Sequence, residues 1–258
     1  MASRSPVGKE FWLAALRAEG SAFLAAVSQP GVLSRRVPSC PDWSVGELVR
    51  HLGAFYQRIR LNAGSAGADE AWPALTVPEE APTADDEAVV TWFREQLQSV
   101  EAHLESLDPD LPTWNWAPRA RVAAFWHRRA AHETAVHRWD AQVATRLPEP
   151  IESKLAGDTI AEALDTFLPG GRRQVDRPAH GLIQLTATDI GQQWYVRLRG
   201  AAISLLDADT RLDAETHPAR ATAAGSASDL ALALWGRVPF DVIEASGDVT
   251  LLEAIKIR

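Results

Sequence analysis

Two histidines and two carboxylates fall within nine consecutive residues, His132 to Asp140, of the stretch "RAAHETAVHRWDAQ". Imidazole nitrogens and carboxylate oxygens together are ligands for divalent metals. A helix turns by about 100° per residue, so spacing selects among these side chains. Glu133 and His137 stand four apart, offset by about 40° and one turn, and project from one face. His132 and His137 diverge by about 140°, too far for one ion to bridge from a regular helix. Asp140 lies within about 20° of Glu133, two turns on, where it could orient a ligand from behind.

A third ligand has to come from another element. His51 follows Leu48 by three residues and precedes Phe55 by four, so it points inward with an apolar stripe, and an inward imidazole needs a partner. His51, Glu133 and His137 would form a two-histidine, one-carboxylate set with open positions, as in catalytic zinc and non-haem iron sites. Two alternatives stand beside this reading: a solvated ion-pair face for Glu133 and His137, and a hydrogen-bonded core histidine at His51. Glu47 and His51 share the four-residue spacing too, but Glu47 is better explained as a helix cap, and a dinuclear centre would need further inward carboxylates. His103 and His127 read as surface or packing residues, and His180 and His217 sit in turns. Cys40, next to Pro41, has no clear activating partner. No serine elbow, phosphate-binding glycine loop or dinucleotide fingerprint is present, and "LPGGRR" reads as a turn.

The elements that must position these residues begin with "KEFWLAALRAEGSAFLAAVS", a helix with Phe11, Ala15, Phe23, Leu24 and Val27 as its expected stripe. A second helix starts at Ser44, where Ser44 and Glu47 make a capping-box pair, and buries Leu48, Leu52, Phe55 and Ile59. A loop, "AGSAGADEAWPALTVPEEAP", leads to a third helix, "TADDEAVVTWFREQLQSVEAHLESL", with acidic residues in its first turn. The fourth runs from about 120 to 146 and carries the opening stretch, so a four-helix bundle is expected. "LPEP" breaks the pattern, placing the expected boundary between domains 1–148 and 149–258. Beyond it come a fifth helix, about 152 to 167, and four short strands of antiparallel character, "GLIQLTAT", "QWYVRLRG", "AAISLLD" and "ARATAAGS". Two helices, "ASDLALALWGR" and "DVTLLEAIK", flank a last strand, "FDVIEASGD", which together give a small α+β domain with a mainly antiparallel sheet.

A chain of 258 residues with 46% hydrophobic and 23% charged residues has room for one large or two modest globular cores. No run of about 18 apolar residues appears, so no membrane span is expected. The N-terminal stretch lacks a signal peptide's unbroken apolar region, and a cytoplasmic location follows as an expectation. The net charge of −8 argues against a general nucleic-acid binder. Cys40 is the single cysteine, which excludes internal disulfides and leaves histidine and carboxylate as metal ligands.

Four segments, "VPSCPDWSVGELVRHL", "RRAAHETAVHRWDAQVA", "LALWGR" and "IEASGDVTLLEAI", resemble in that order the mycothiol-dependent maleylpyruvate isomerase family of actinobacteria. The resemblance implies a DinB-like helical bundle followed by a sterol-carrier-like α+β domain. It also implies a divalent metal, usually zinc, held by His51, Glu133 and His137, the residues the helix geometry selects. A functional arginine is implied in the second domain, with Arg237 as the candidate, although a helix-terminal arginine also serves to bind backbone carbonyls. Mycothiol would be the thiol cosubstrate. Its metal-activated thiolate adds to the cis double bond of maleylpyruvate, the resulting single bond rotates, and elimination releases the trans product, fumarylpyruvate. Permanent transfer of the thiolate to an electrophile, metal-dependent hydrolysis and non-catalytic binding of a small ligand stay open as alternatives. The expected partners are a small-molecule substrate and mycothiol, with no nucleic acid or membrane, acting on a monomer or weak oligomer.

Overall fold

The structure is a computed structural model that describes residues 7–64, 81–82, 86–145, 148–171, 179–200, 202–206 and 219–257. The chain forms two compact units, Met1–Glu149 and Pro150–Arg258.

In the first unit, α1 (Lys9–Val27), α2 (Val45–Asn62), α3 (Asp86–Ser106) and α4 (Ala124–Thr145) form a four-helix bundle. α1 packs along α4 and α2 along α3, and contacts of α1 with α3 and α2 with α4 close it. Leu16, Phe23, Leu48, Leu52, Tyr56, Phe93 and Trp126 are fully enclosed at its centre. Two expected stripes need correction. α1 turns Trp12, Leu13, Leu16, Gly20, Phe23 and Val27 inward, while Phe11, Ala15 and Leu24 are only half-buried. Apolar residues surround this helix, so several faces satisfy the same period. In α2, Tyr56 takes the core position and Phe55 is half-buried.

A short hairpin, β1 (Arg36–Val37) paired antiparallel with β2 (Cys40–Ser44), feeds directly into α2. The capping box fixes that junction: the Ser44 hydroxyl accepts the Glu47 N–H at 3.2 Å, and Glu47 Oε2 accepts the Ser44 N–H at 2.6 Å. The start of α2, and with it the rotational phase of His51, is therefore set by two residues. Further along, a Cβ on Gly53 would lie 2.3 Å from Cζ3 of the Trp92 indole, so α2 and α3 approach this closely only because Gly53 has no side chain.

α4 is buried on nearly every side although many of its residues are polar. Buried charges need partners, and α4 finds them on its neighbours. Arg138 Nε donates to Glu19 Oε2 of α1 at 2.6 Å, and Arg138 Nη1 donates to Gln142 Oε1 at 2.8 Å. Both ring nitrogens of His127 lie 2.8 Å from carbonyl oxygens, those of Ala123 and Leu104.

In the second unit, α5 (Ser153–Glu162) ends in a π-helical turn, Ala163–Phe167. Among the described residues one sheet follows: β3 (Ala179–Ala187), β4 (Gln192–Gly200), β5 (Ala202–Leu206), β6 (Ala221–Gly225) and β7 (Glu244–Gly247) in the order β5-β4-β3-β6-β7. It is mainly antiparallel, with one correction: β3 and β6 pair in parallel, Ile183 opposite Ala221 and Leu185 opposite Ala223. Ile183, Leu185, Trp194, Val196, Leu198, Ala221 and Ala223 are buried. α6 (Ala227–Leu234) and α7 (Val249–Glu253) pack on β3 and β6, and α5 packs on α6. The sheet buries one face, as the alternation in β4 requires. The expected strand "FDVIEASGD" opens with a 3-10 turn, Phe240–Val242, before β7. No helix among the described residues is long and apolar enough to cross a membrane.

Candidate metal centre

His51 on α2 and Glu133 and His137 on α4 come together in the first unit. His51 Nε2 lies 3.3 Å, and His137 Nε2 3.2 Å, from the same oxygen, Glu133 Oε1. One ligand atom from each of the three residues lies within 4.8 Å of the other two. A tetrahedral ion with bonds of about 2.0–2.1 Å has ligand atoms about 3.3 Å apart, so two edges of the triad already have the required length. The side chain of His51 is 32% exposed and that of His137 only 6%. The triad is thus reachable from solvent on the His51 side.

The neighbours of the triad decide how its lone pairs point. His137 Nδ1 donates to Asp140 Oδ2 at 2.9 Å, and Asp140 Oδ1 accepts from Ser39 Oγ at 2.5 Å. With its Nδ1 proton committed to Asp140, His137 turns Nε2 toward Glu133 Oε1, as a lone pair when the ring is neutral and as an N–H when it is protonated. Two acceptors so close repel one another unless a proton or a cation lies between them, and two imidazole nitrogens with a carboxylate oxygen are residue types that could hold a metal ion. Burial works against charge on both partners, yet the surroundings prevail. The hydrogen bonds to Asp140 and Glu133 raise the pKa of His137, and Arg129, His137 and His51 hold Glu133 well below the usual carboxylate range.

Arg129 Nη2 donates to Glu133 Oε2, the oxygen that faces away from the imidazoles. Below the triad, the Tyr56 hydroxyl donates to Thr134 Oγ1 at 2.7 Å, and Thr134 donates to the Ala130 carbonyl at 2.7 Å. This chain ties α2 to α4 beside the site. Burial pushes the Tyr56 phenol up, so it stays neutral. The Trp43 ring of β2 lies 4.7 Å from that of His51 and 6.4 Å from that of His137, forming an aromatic wall.

The sequence reading missed Arg129, Ser39 and Trp43. Arg129 carries a signal, the four-residue spacing to Glu133, whereas nothing local ties Ser39 to a helix a hundred residues on. His132 is fully buried in the bundle and does not join the cluster. Glu47 remains with Ser44 as a cap. Cys40 Sγ lies 4.0 Å from Asp140 Oδ2 and does not join the cluster. His103 Nε2 meets the Ala63 carbonyl at 2.7 Å. His180 is exposed on β3, not in a turn, and His217 lies outside the described residues. Arg237, at the turn after α6, donates to the Trp235 carbonyl at 2.9 Å.

Fold and site define a two-part class: a four-helix bundle carrying a histidine, glutamate and histidine triad, joined to an α+β unit. Residues 13–142 match the mycothiol maleylpyruvate isomerase N-terminal domain, and residues 154–254 match the C-terminal domain of the same proteins. The chain belongs to the mycothiol maleylpyruvate isomerase family, a family of enzymes. Among solved structures it is similar to the mycothiol-dependent maleylpyruvate isomerase in two forms. A variant with one histidine replaced by alanine gives a TM-score of 0.62 at 13% identity, and the unmodified form 0.59 at 14%. Each likeness covers 93% of both chains, and at such identities it establishes the fold. No curated protein matches the chain.

Proposed function

We propose that this protein is a metal-dependent enzyme that uses mycothiol to act on a small electrophile, as a cis-trans isomerase of the maleylpyruvate type. The observation that carries the metal part is the convergence of His51 Nε2 and His137 Nε2 on Glu133 Oε1. Family membership supports the thiol and the reaction type. A divalent cation, with zinc suited to this nitrogen and oxygen set, would supply Lewis-acid activation that lowers a thiol's pKa from about 8.5.

The chain's own residues do the rest. His51, Glu133 and His137 would hold the ion. Asp140 keeps the Nδ1 proton of His137, so its Nε2 stays available, and Arg129 takes up the outer oxygen of Glu133. Trp43 shields one side of the imidazoles from water. Thiol addition to a cis double bond, rotation and elimination return the thiol unchanged, so the balance requires no oxidant or reductant. Arg237 is assigned to a substrate carboxylate on the family resemblance alone, through the bidentate pairing that guanidinium offers.

Protein purified without added metal tests the proposal. Mass spectrometry is expected to find about one divalent ion per chain, lost in His137→Ala, and mycothiol is expected to support conversion of maleylpyruvate to fumarylpyruvate. An ion-free wild type, or unchanged occupancy in His137→Ala, overturns the metal site. Stoichiometric consumption of mycothiol shows a transferase instead, and thiol-independent cleavage of the substrate with uptake of water a hydrolase.

A further inference from the structure

The two oxygens of Glu133 have different environments. Oε1 faces both imidazoles at 3.3 and 3.2 Å, whereas Oε2 accepts from Arg129 Nη2. Arg129 lies one helical turn before Glu133 on α4, and its side chain is only 3% exposed, against 18% for Glu133. The guanidinium is held inside the bundle, on the carboxylate oxygen that the imidazoles do not share.

A carboxylate can ligate through one oxygen or through both. Two-oxygen ligation would fill a further coordination position, leaving less room for an incoming ligand. From these contacts we infer that Arg129 is a positioning residue that fixes Glu133 as a one-oxygen ligand and so preserves the open side of the ion. The inference rests on the metal reading above. Turning Glu133 so that Oε2 also met the ion would break a charge-assisted hydrogen bond from a buried guanidinium, a costly exchange in a desolvated site. The same contact draws electron density from the carboxylate, so that Glu133 neutralises the cation less completely. Simple charge balance would need a cation nearby but would not need it on one particular oxygen, and this distinction can be measured.

The test uses the full-length protein loaded with Co(II), whose visible ligand-field bands report coordination number and geometry. Wild type, Arg129→Ala, Arg129→Met and Arg129→Lys are compared, with His137→Ala as the control for binding at this site. Arg129→Met retains side-chain volume should the alanine variant fail to fold. The expected result is a severalfold loss of band intensity, with a shift in position, in Arg129→Ala and Arg129→Met as Glu133 closes on the ion with both oxygens. Arg129→Lys, which restores a cationic donor, is expected to move the spectrum back toward wild type. Spectra of the alanine and methionine variants that superimpose on wild type overturn the inference and leave the metal reading standing. Failure of the wild type to take up cobalt overturns both.

Discussion

His137 Nδ1 donates to Asp140 Oδ2 at 2.9 Å, and the accepting carboxylate is fully buried. A buried carboxylate behind a ligand histidine fixes the ring's tautomer and raises its basicity, and Ser39, from the hairpin before α2, steadies that carboxylate in turn. The cluster is therefore layered: α2 and α4 bring His51, Glu133 and His137 together, and around them Asp140 accepts from His137 and Ser39 while Arg129 donates to Glu133.

Asp140→Asn keeps the shape of the side chain and removes its charge. The amide can present its N–H toward His137 and reverse the tautomer, so metal affinity is expected to fall by about 10–100-fold. Competition with a chromophoric chelator measures this. An affinity within twofold of wild type would show that Asp140 has no part in orienting His137.

An ion that binds only the folded bundle stabilises it by mass action. At a hundredfold excess of free metal over Kd the gain is about 2.7 kcal/mol, which corresponds to a rise of roughly 5–10 °C in Tm for a protein of this size. Scanning calorimetry with and without chelator should show that rise in wild type and lose it in Glu133→Gln. Equal Tm values in wild type would exclude tight binding to the native state.

His127 provides a pH dependence that does not involve the triad. Burial lowers its pKa from 6.5, and Lys9 and His103 add to this, against the pull of the Ala123 and Leu104 carbonyls. Between the lowered folded value and about 6.5 the unfolded chain binds a proton that the fold does not, so stability falls as pH drops through that window. Urea unfolding at about pH 7.5 and about pH 5.5 should show a larger loss in wild type than in His127→Gln, which does not titrate. Equal losses would mean that His127 contributes no proton linkage.

Local rules explain what was legible in the sequence. The Ser44 and Glu47 pair marked the start of α2, and four-residue spacing placed Glu133 and His137 on one face, because both depend only on residues within one turn. A stripe anchored by Leu48 put His51 on the side of α2 that meets α4, but its side chain lies at the edge of that stripe, 32% exposed and not enclosed. The α1 stripe was misjudged because alanine and leucine surround that helix, and its true face is chosen by what α4 presents to it. α4 gave relative angles but no inward face, since its polar residues are satisfied inside the bundle by partners such as Glu19, distant in sequence. The parallel pairing of β3 with β6 is likewise a choice between ladders that alternation does not record. The contact of Ser39 with Asp140, 101 residues apart, has no local signature at all.

Gly53 couples packing to the site most directly. It lies two residues after His51, with the Trp92 indole against its Cα, and Trp92 is itself almost fully buried. Gly53→Ala would normally favour a helix by roughly 0.8–1.0 kcal/mol through propensity. Here the added methyl meets ring carbons 2.3 and 2.4 Å away, and overpacking of this kind costs about 1–3 kcal/mol, so the net effect is expected to be destabilising. Relief requires α2 to move off α3, which carries His51 with it. Gly53→Ala should therefore lower the urea midpoint and also weaken metal binding, whereas Gly53→Ala combined with Trp92→Phe, which shortens the opposing ring, should recover part of both. Stabilisation by the single substitution would show that Trp92 can turn aside freely and that α2 is not held in place at this contact.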